Sequence, residues 1–140
     1  MIWPGETPSP DVLVVDDSAE ERGKLRRLLQ DEGINVVAEG GDGLEAIDLV
    51  HQLKPDVVLM DLRMPRMGGI EATRRIRNVH HNTQVLILTV YEDPALNRSA
   101  EEVGAYAYLV KGCSIGLIRD MILQASRYKT ELEAFPARSG

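Results

Sequence analysis

Asp16 and Asp17 follow the apolar run Val12–Val15, and Asp61 follows Asp56–Met60. Thr89 follows Gln84–Leu88, and Lys111 follows Ala107–Val110. Each alone has an ordinary explanation: an Asp after a strand caps a helix, a Thr there serves a turn, and a single Lys is solvated. Their joint placement, each after a different apolar run, points to shared chemistry. If the runs are parallel strands of one sheet, these residues meet at a single sheet edge, where ligands bind near a switch in strand order. With the first and third strands as neighbours, three carboxylates converge. Such a cluster repels itself unless a cation or shifted protonation resolves it. An all-carboxylate set suits a hard, oxygen-preferring ion, and Mg2+ fits. Neither Cys nor His is placed to favour zinc. A carboxylate is also a nucleophile toward phosphorus, and it is ionised at pH 7 without help from a base. In such a reaction a metal and a lysine would neutralise charge on the incoming phosphoryl group, and the Thr89 hydroxyl would donate to one of its oxygens.

The intervening sequence can position these groups. Val12–Val15 reads as a buried strand. Ser18 with Glu21 then forms a capping box for a helix whose inner face is Leu25, Leu28 and Leu29, stopped by Gly33. Asn35–Glu39 is a second strand. Asp42 with Glu45 repeats the cap signal ahead of a stripe of Ala46, Ile47, Val50 and Leu53, and Lys54-Pro55 ends that helix. Asp56–Met60 is the third strand. A helix follows over Gly69–Arg77, with Ile70, Thr73 and Ile76 inward. Gln84–Leu88 is the fourth strand, Pro94–Val103 a weaker helix, and Ala107–Val110 the fifth strand. Ser114 opens a last helix with Ile118, Ile122, Ala125 and Tyr128 along one side. Alternating strands and helices predict a doubly wound α/β fold, with a parallel sheet covered on both faces and right-handed crossovers. Strands apolar throughout are those buried on both faces.

Composition narrows the class. A chain of 140 residues with 44% hydrophobic content fits one globular domain, and 4% aromatics imply an aliphatic core. The expected organisation is a leader over 1–10, marked by Pro4, Pro8 and Pro10, a domain over 11–133, and a tail or linker over 134–140. The single cysteine, Cys113, reads as a bystander. No apolar run approaches the roughly 18 residues that span a bilayer, and the N-terminus lacks a signal-peptide pattern, so the expected location is cytoplasmic. Net charge is −6, which disfavours direct binding of nucleic acid. The basic run Arg22, Lys24, Arg26 and Arg27 is interleaved with acids and reads as a solvated helix face.

The motifs Val-Leu-Val-Val-Asp16-Asp17, Val-Val-Leu-Met-Asp61-Leu-Arg-Met64-Pro65, Gly69-Ile70-Glu71, Ile-Leu-Thr89 and Gly104-Ala105-Tyr-Ala-Tyr108-Leu-Val-Lys111 resemble the receiver domain of two-component response regulators. The likeness runs over roughly 11–128 and is greatest to regulators with LuxR-type helix-turn-helix outputs. It implies a five-stranded sheet in order 2-1-3-4-5, the flavodoxin-like arrangement. It implies Asp61 as phosphoacceptor and Asp16, Asp17 and the Arg63 backbone carbonyl as Mg2+ ligands alongside it. It further implies Thr89 and Lys111 as phosphoryl contacts and Tyr108 as a switch aromatic. A histidine kinase would be the donor, and a phosphorylation-driven change in the surface of the fourth helix, fifth strand and fifth helix would control an output, with transcription the expected one. Self-association through that surface is a further expectation, the late stretch Ile118, Met121, Ile122, Ala125, Tyr128 and Leu132 being broad for a single core stripe. DNA would be reached only through an output domain that these residues do not contain. Three positions depart from the family pattern: Val90 after Thr89 in place of Ala or Gly, Gly68 in place of Asp or Asn, and Gly112 in place of Pro. Val90 is expected to narrow access to the phosphoryl site. A haloacid-dehalogenase-type phosphatase would need an acid at position 63, where Arg stands. A dinucleotide-binding fold would need a glycine-rich turn where Asp16, Asp17 and Ser18 stand. A receiver-like domain that binds partners without phosphorylation usually lacks one of the acids or the lysine, all of which are present.

Overall fold

The computed structural model describes residues 9–134, and their side chains as far as residue 128. Strands and helices alternate along the chain: β1 (Asp11–Val15), α1 (Ala19–Asp31), β2 (Asn35–Gly40), α2 (Gly43–Leu53), β3 (Val57–Met60), α3 (Gly69–Val79), β4 (Gln84–Thr89), α4 (Pro94–Glu102), β5 (Ala107–Val110) and α5 (Ile115–Ala134). The strands form one parallel sheet in the order β2-β1-β3-β4-β5, as the family resemblance implied. The order reverses direction between β1 and β3, so a crevice opens beyond their carboxyl ends.

Alternation within each strand divides the core in two, because successive side chains point to opposite faces. Val12, Val14, Val57, Leu59, Leu86 and Leu88 face Leu29 of α1 and Ile118, Ile122 and Ala125 of α5. Leu13, Val15, Val58, Met60, Val85 and Ile87 face Ala46 and Val50 of α2, Ala72 and Ile76 of α3, and Ala100 of α4. β3 and β4 are buried from end to end. That is why Val57–Met60 and Val85–Leu88 read as apolar runs.

The helix starts match their sequence signals. Ser18 Oγ accepts from Glu21 N–H, and Asp42 Oδ1 accepts from Glu45 N–H. The return half of the expected capping box at Ser18 is replaced, since Ser18 N–H donates to Asp16 Oδ1. Pro55 disfavours helical backbone at Lys54, which ends α2 in the left-handed region at φ 47°. Gly33 does the same after α1 at φ 79°.

Some inward assignments differ. Leu28 (43%), Leu53 (45%) and Tyr128 (44%) are substantially exposed. Leu28 and Leu53 lie at the borders of their helical stripes, where the packed sheet no longer covers them, and Tyr128 turns outward to pack its ring on Tyr106. In the late stretch of α5, Ile118, Ile122 and Ala125 are core, so less of it is free for association than its breadth suggested. Leu132 lies outside the described side chains. α3 runs two residues past Arg77, to Val79. Of the expected leader, residues 1–8 lie outside the described residues, while Ser9 Oγ donates to the Gly33 carbonyl and Pro10 is buried. Residues 135–140 of the expected tail also lie outside them. Among the described residues no helix is long and apolar enough to cross a membrane.

Backbone packing is tightest beneath the sheet edge. A Cβ added at Gly69 would lie 2.0 Å from the Asp61 carbonyl oxygen. Gly23, on α1, has only the tip of Arg27 nearby, at 3.5 Å. Gly69→Ala should therefore cost about 2–3 kcal/mol or more, as overpacking does. Gly23→Ala should add about 0.5–1 kcal/mol through helix propensity. Urea unfolding of the two variants checks both signs.

Candidate phosphoacceptor site

The register of β1 against β3 pairs Val15 with Met60, so the next residues, Asp16 and Asp61, emerge side by side. Asp61 N–H donates to the Val15 carbonyl and Asp16 N–H to the Gly40 carbonyl. Both acids are nearly buried, at 6% and 8% exposure, whereas Asp17 faces solvent. Carboxylate oxygens of Asp16, Asp17 and Asp61 all lie within 4.8 Å of one another. The convergence expected from the sequence is thus present.

Lys111 closes the cluster from β5. Its backbone N–H donates to the Thr89 carbonyl, which seats it at the same edge. Its Nζ lies 2.6 Å from Asp16 Oδ2 and 3.1 Å from Asp61 Oδ2. The remaining oxygens are held by backbone donors: Asp16 Oδ1 by Ser18 N–H at 2.9 Å and Asp61 Oδ1 by Leu62 N–H at 2.7 Å. Burial pulls the Lys111 ammonium down, but hydrogen bonds and charge from Asp16 and Asp61 outweigh it and raise its pKa above the ordinary lysine value. Gly112 follows with φ 104°, and the Lys111–Gly112 peptide is trans. Glycine permits that backbone conformation.

Two features bear on what else the site accepts. The cluster holds three acids and one ammonium, and its donor set is all oxygen, which fits a hard divalent cation. Thr89 is fully buried, and its hydroxyl finds no partner among the described residues. Buried hydroxyls are normally satisfied, so an orphan at the same sheet edge as the acids is a donor open to an added acceptor.

Tyr108 is half-buried against the α4-side core, and its hydroxyl donates to the Tyr91 carbonyl. Burial, with the charges of Asp93 and Asp61, raises its pKa, so it stays protonated as that bond requires. The Arg63 guanidinium lies over the Tyr91 ring, 4.6 Å from its centroid. Sequence reading missed this pairing. Arg63 and Tyr91 stand in the connections that follow the neighbouring strands β3 and β4, and nothing in the local sequence marks them as partners. Val90 between them points outward, at 61% exposure. Beside the acids, a crevice of about 170 Å³ between α1 and the β5–α5 connection reaches Asp16 and Lys111.

The model of the response regulator receiver domain family matches residues 12–123. The chain is 40% identical over 119 residues to the transcriptional regulatory protein PdtaR of Mycobacterium tuberculosis, covering 84% of this chain and 58% of that protein. It is 40% identical over 105 residues to the response regulator GacA of Pseudomonas aeruginosa, covering 74% of this chain and 49% of that one. The chain therefore spans about half to three-fifths of the length of these relatives. Among solved structures, the signal receiver domain of the putative response regulator NarL from Mycobacterium tuberculosis superimposes with a TM-score of 0.82 at 32% identity, covering 86% of this chain and 98% of that one.

The pairing of Lys111 has a pH signature. Its pKa is raised by folding, so its contribution is complete below the unfolded lysine value, about 10.4, and is lost as pH rises through the higher folded value. Tyrosines also titrate in this window, so the difference between wild type and Lys111→Met isolates the lysine. That difference should hold below about pH 10.4 and shrink as pH rises above it, as read by urea unfolding; a constant difference would contradict the pairing.

Proposed function

This chain belongs to the family of response regulator receiver domains, and we propose that it is a switch that carries a phosphoryl group on Asp61. The observation that carries the assignment is the orphan, buried Thr89 hydroxyl at the same sheet edge as the Lys111-paired Asp16 and Asp61. Asp16, Asp17 and Asp61, with the Arg63 carbonyl, would hold Mg2+. The cation would neutralise charge on the incoming phosphoryl oxygens.

The donor is the phosphohistidine of a histidine kinase. An Asp61 carboxylate oxygen forms the new bond to phosphorus as the phosphorus–nitrogen bond breaks, and the imidazole leaves with that electron pair. Lys111 turns from a carboxylate to a phosphoryl oxygen. Thr89 donates its free hydroxyl hydrogen to another. The crevice beside α1 gives a kinase access next to Asp16 and Lys111.

The new group brings up to two negative charges. As Thr89 turns toward it, space opens beside β4, and Tyr108 would exchange its bond to Tyr91 for a buried position. Shifting such an equilibrium from 1:99 to 99:1 needs about 5.5 kcal/mol. One charge-assisted hydrogen bond gives roughly 1.5–3 kcal/mol, so Lys111 and the cation must share the work with Thr89. The surface of α4, β5 and α5 then carries the signal, through self-association or to an output. The names of the relatives point to transcription as that output, with DNA contacted by a separate domain and a cytoplasmic location to match.

Incubation with Mg2+ and acetyl phosphate should add one phosphoryl group by intact mass. Asp61→Asn should abolish it, because an amide is no nucleophile toward phosphorus, and chelation by EDTA should do the same. Labelling of the Asn variant at the wild-type level would sink the assignment. With beryllofluoride and Mg2+, ring NMR should show Tyr108 leaving its present rotamer; an unmoved ring beside a changed α4 would disprove the Thr89–Tyr108 coupling.

A further inference from the structure

The connection from Leu62 to Gly68 carries Arg63; Leu62, Met64 and Met67 pack on the core, but its far end has no helix-capping side chain. Gly68 is the N-cap of α3 and supplies no capping side chain. Gly69 N–H of α3 donates to the Leu62 carbonyl and Ala72 N–H to the Gly68 carbonyl, which tie the connection to the helix it leads into, and Met67 N–H donates to the Pro65 carbonyl within it. Among the described residues its hydrogen bonds to any element other than α3 run to the start of α2. Asp42 Oδ2 accepts from Arg66 Nε at 2.7 Å and lies 2.6 Å from Arg66 Nη2. The other oxygen of Asp42 caps α2 through Glu45 N–H at 2.9 Å. Beside this fork, Gly43 N–H donates to the Met67 carbonyl at 2.9 Å, and a Cβ on Gly43 would lie 2.7 Å from that oxygen.

The clasp has the features of a positioning device. Asp42 is 6% exposed, so its charge is held largely out of solvent. Glu45 N–H and the Arg66 guanidinium hold its carboxyl below the usual carboxylate range despite that burial. Arg66 itself sits at φ 63°, a region that side-chain-bearing residues rarely adopt. A strained backbone persists when its surroundings over-determine it, and such strain gathers where geometry matters to function. Three residues upstream of Arg66 is Arg63, and the same stretch begins at Asp61.

We infer that the Asp42–Arg66 clasp sets the affinity of the site for its divalent cation, by fixing from α2 the stretch that presents the Arg63 carbonyl. Asp42 and Arg66 are positioning residues and do not touch the cation. The inference rests on the reading of the Arg63 carbonyl as a ligand. It makes the start of α2 part of the metal site, and it gives the chain a substitute for the anchor that Gly68 does not provide.

Isothermal titration of the unphosphorylated protein with Mg2+ at fixed ionic strength tests this, with thermal melts alongside. Asp42→Asn keeps the helix cap, since Asn caps as well as Asp, but loses the ion pair. Arg66→Gly loses the pair while relieving the positive φ. Both should weaken Mg2+ binding roughly tenfold, the lower end of the effect of outer-shell partners on metal affinity. Arg66→Gly should do so with its melting temperature held or raised. Arg66→Lys, which keeps the charge without the fork, should fall between them and wild type. Wild-type affinity in Arg66→Gly would overturn the inference even if Asp42→Asn fails to fold. Asp61→Asn separates the two readings: if neither it nor wild type binds Mg2+, the metal site itself is wrong, whereas binding by wild type that Asp61→Asn loses and Arg66→Gly retains refutes the clasp alone.

Discussion

Lys111 bridges two carboxylates that the sheet forces together. At about 4 Å and an effective dielectric near 20, a pair of unit charges interacts by roughly 4 kcal/mol, so the attraction from one ammonium is set against like-charge repulsion of comparable size. Asp16 and Asp61 cannot separate, because β1 and β3 are hydrogen-bonded in register up to Val15 and Met60. The buried core on both faces of the sheet is what holds that register. Hydrophobic burial thus maintains an electrostatically awkward site, and it leaves the cluster receptive to added positive charge.

The site is also framed by backbone. Ser18 and Leu62 N–H groups take one oxygen each of Asp16 and Asp61, and each comes from the turn that follows a strand. Gly69 lets α3 begin against the Asp61 carbonyl. Ser18 therefore both starts α1 and orients Asp16. A change made for local stability here alters the chemistry as well.

On the far side, Tyr91 joins two neighbourhoods. Its ring carries the Arg63 guanidinium, and its carbonyl accepts from Tyr108. The connection after β4 thus touches both the mouth of the acidic cluster and the aromatic on β5. Cation–π contacts at exposed sites contribute about 0.5–1 kcal/mol, a strength that holds a conformation without locking it. Arg77 supplies a firmer contact lower down, where its guanidinium donates to the Thr83 carbonyl and packs beneath Gly104.

The sequence by itself determined the order and type of the elements, because strands buried on both faces must be apolar and helices must carry a stripe. It also located Asp16, Asp17, Asp61, Thr89 and Lys111 at strand ends, since a buried strand must stop where charge begins. Their convergence needed only the strand order, which the motifs implied. The periodic stripes overstated burial at Leu28 and Leu53, because a helix border is decided by where its neighbour ends. Asp42 was legible as a cap but not as the partner of Arg66, nor was Arg63 legible as the partner of Tyr91. Those pairs join residues 24 and 28 positions apart across different loops. A pairing of that kind leaves no period in the sequence. It exists only once the sheet has fixed the distances between loop ends, so tertiary structure alone decided it.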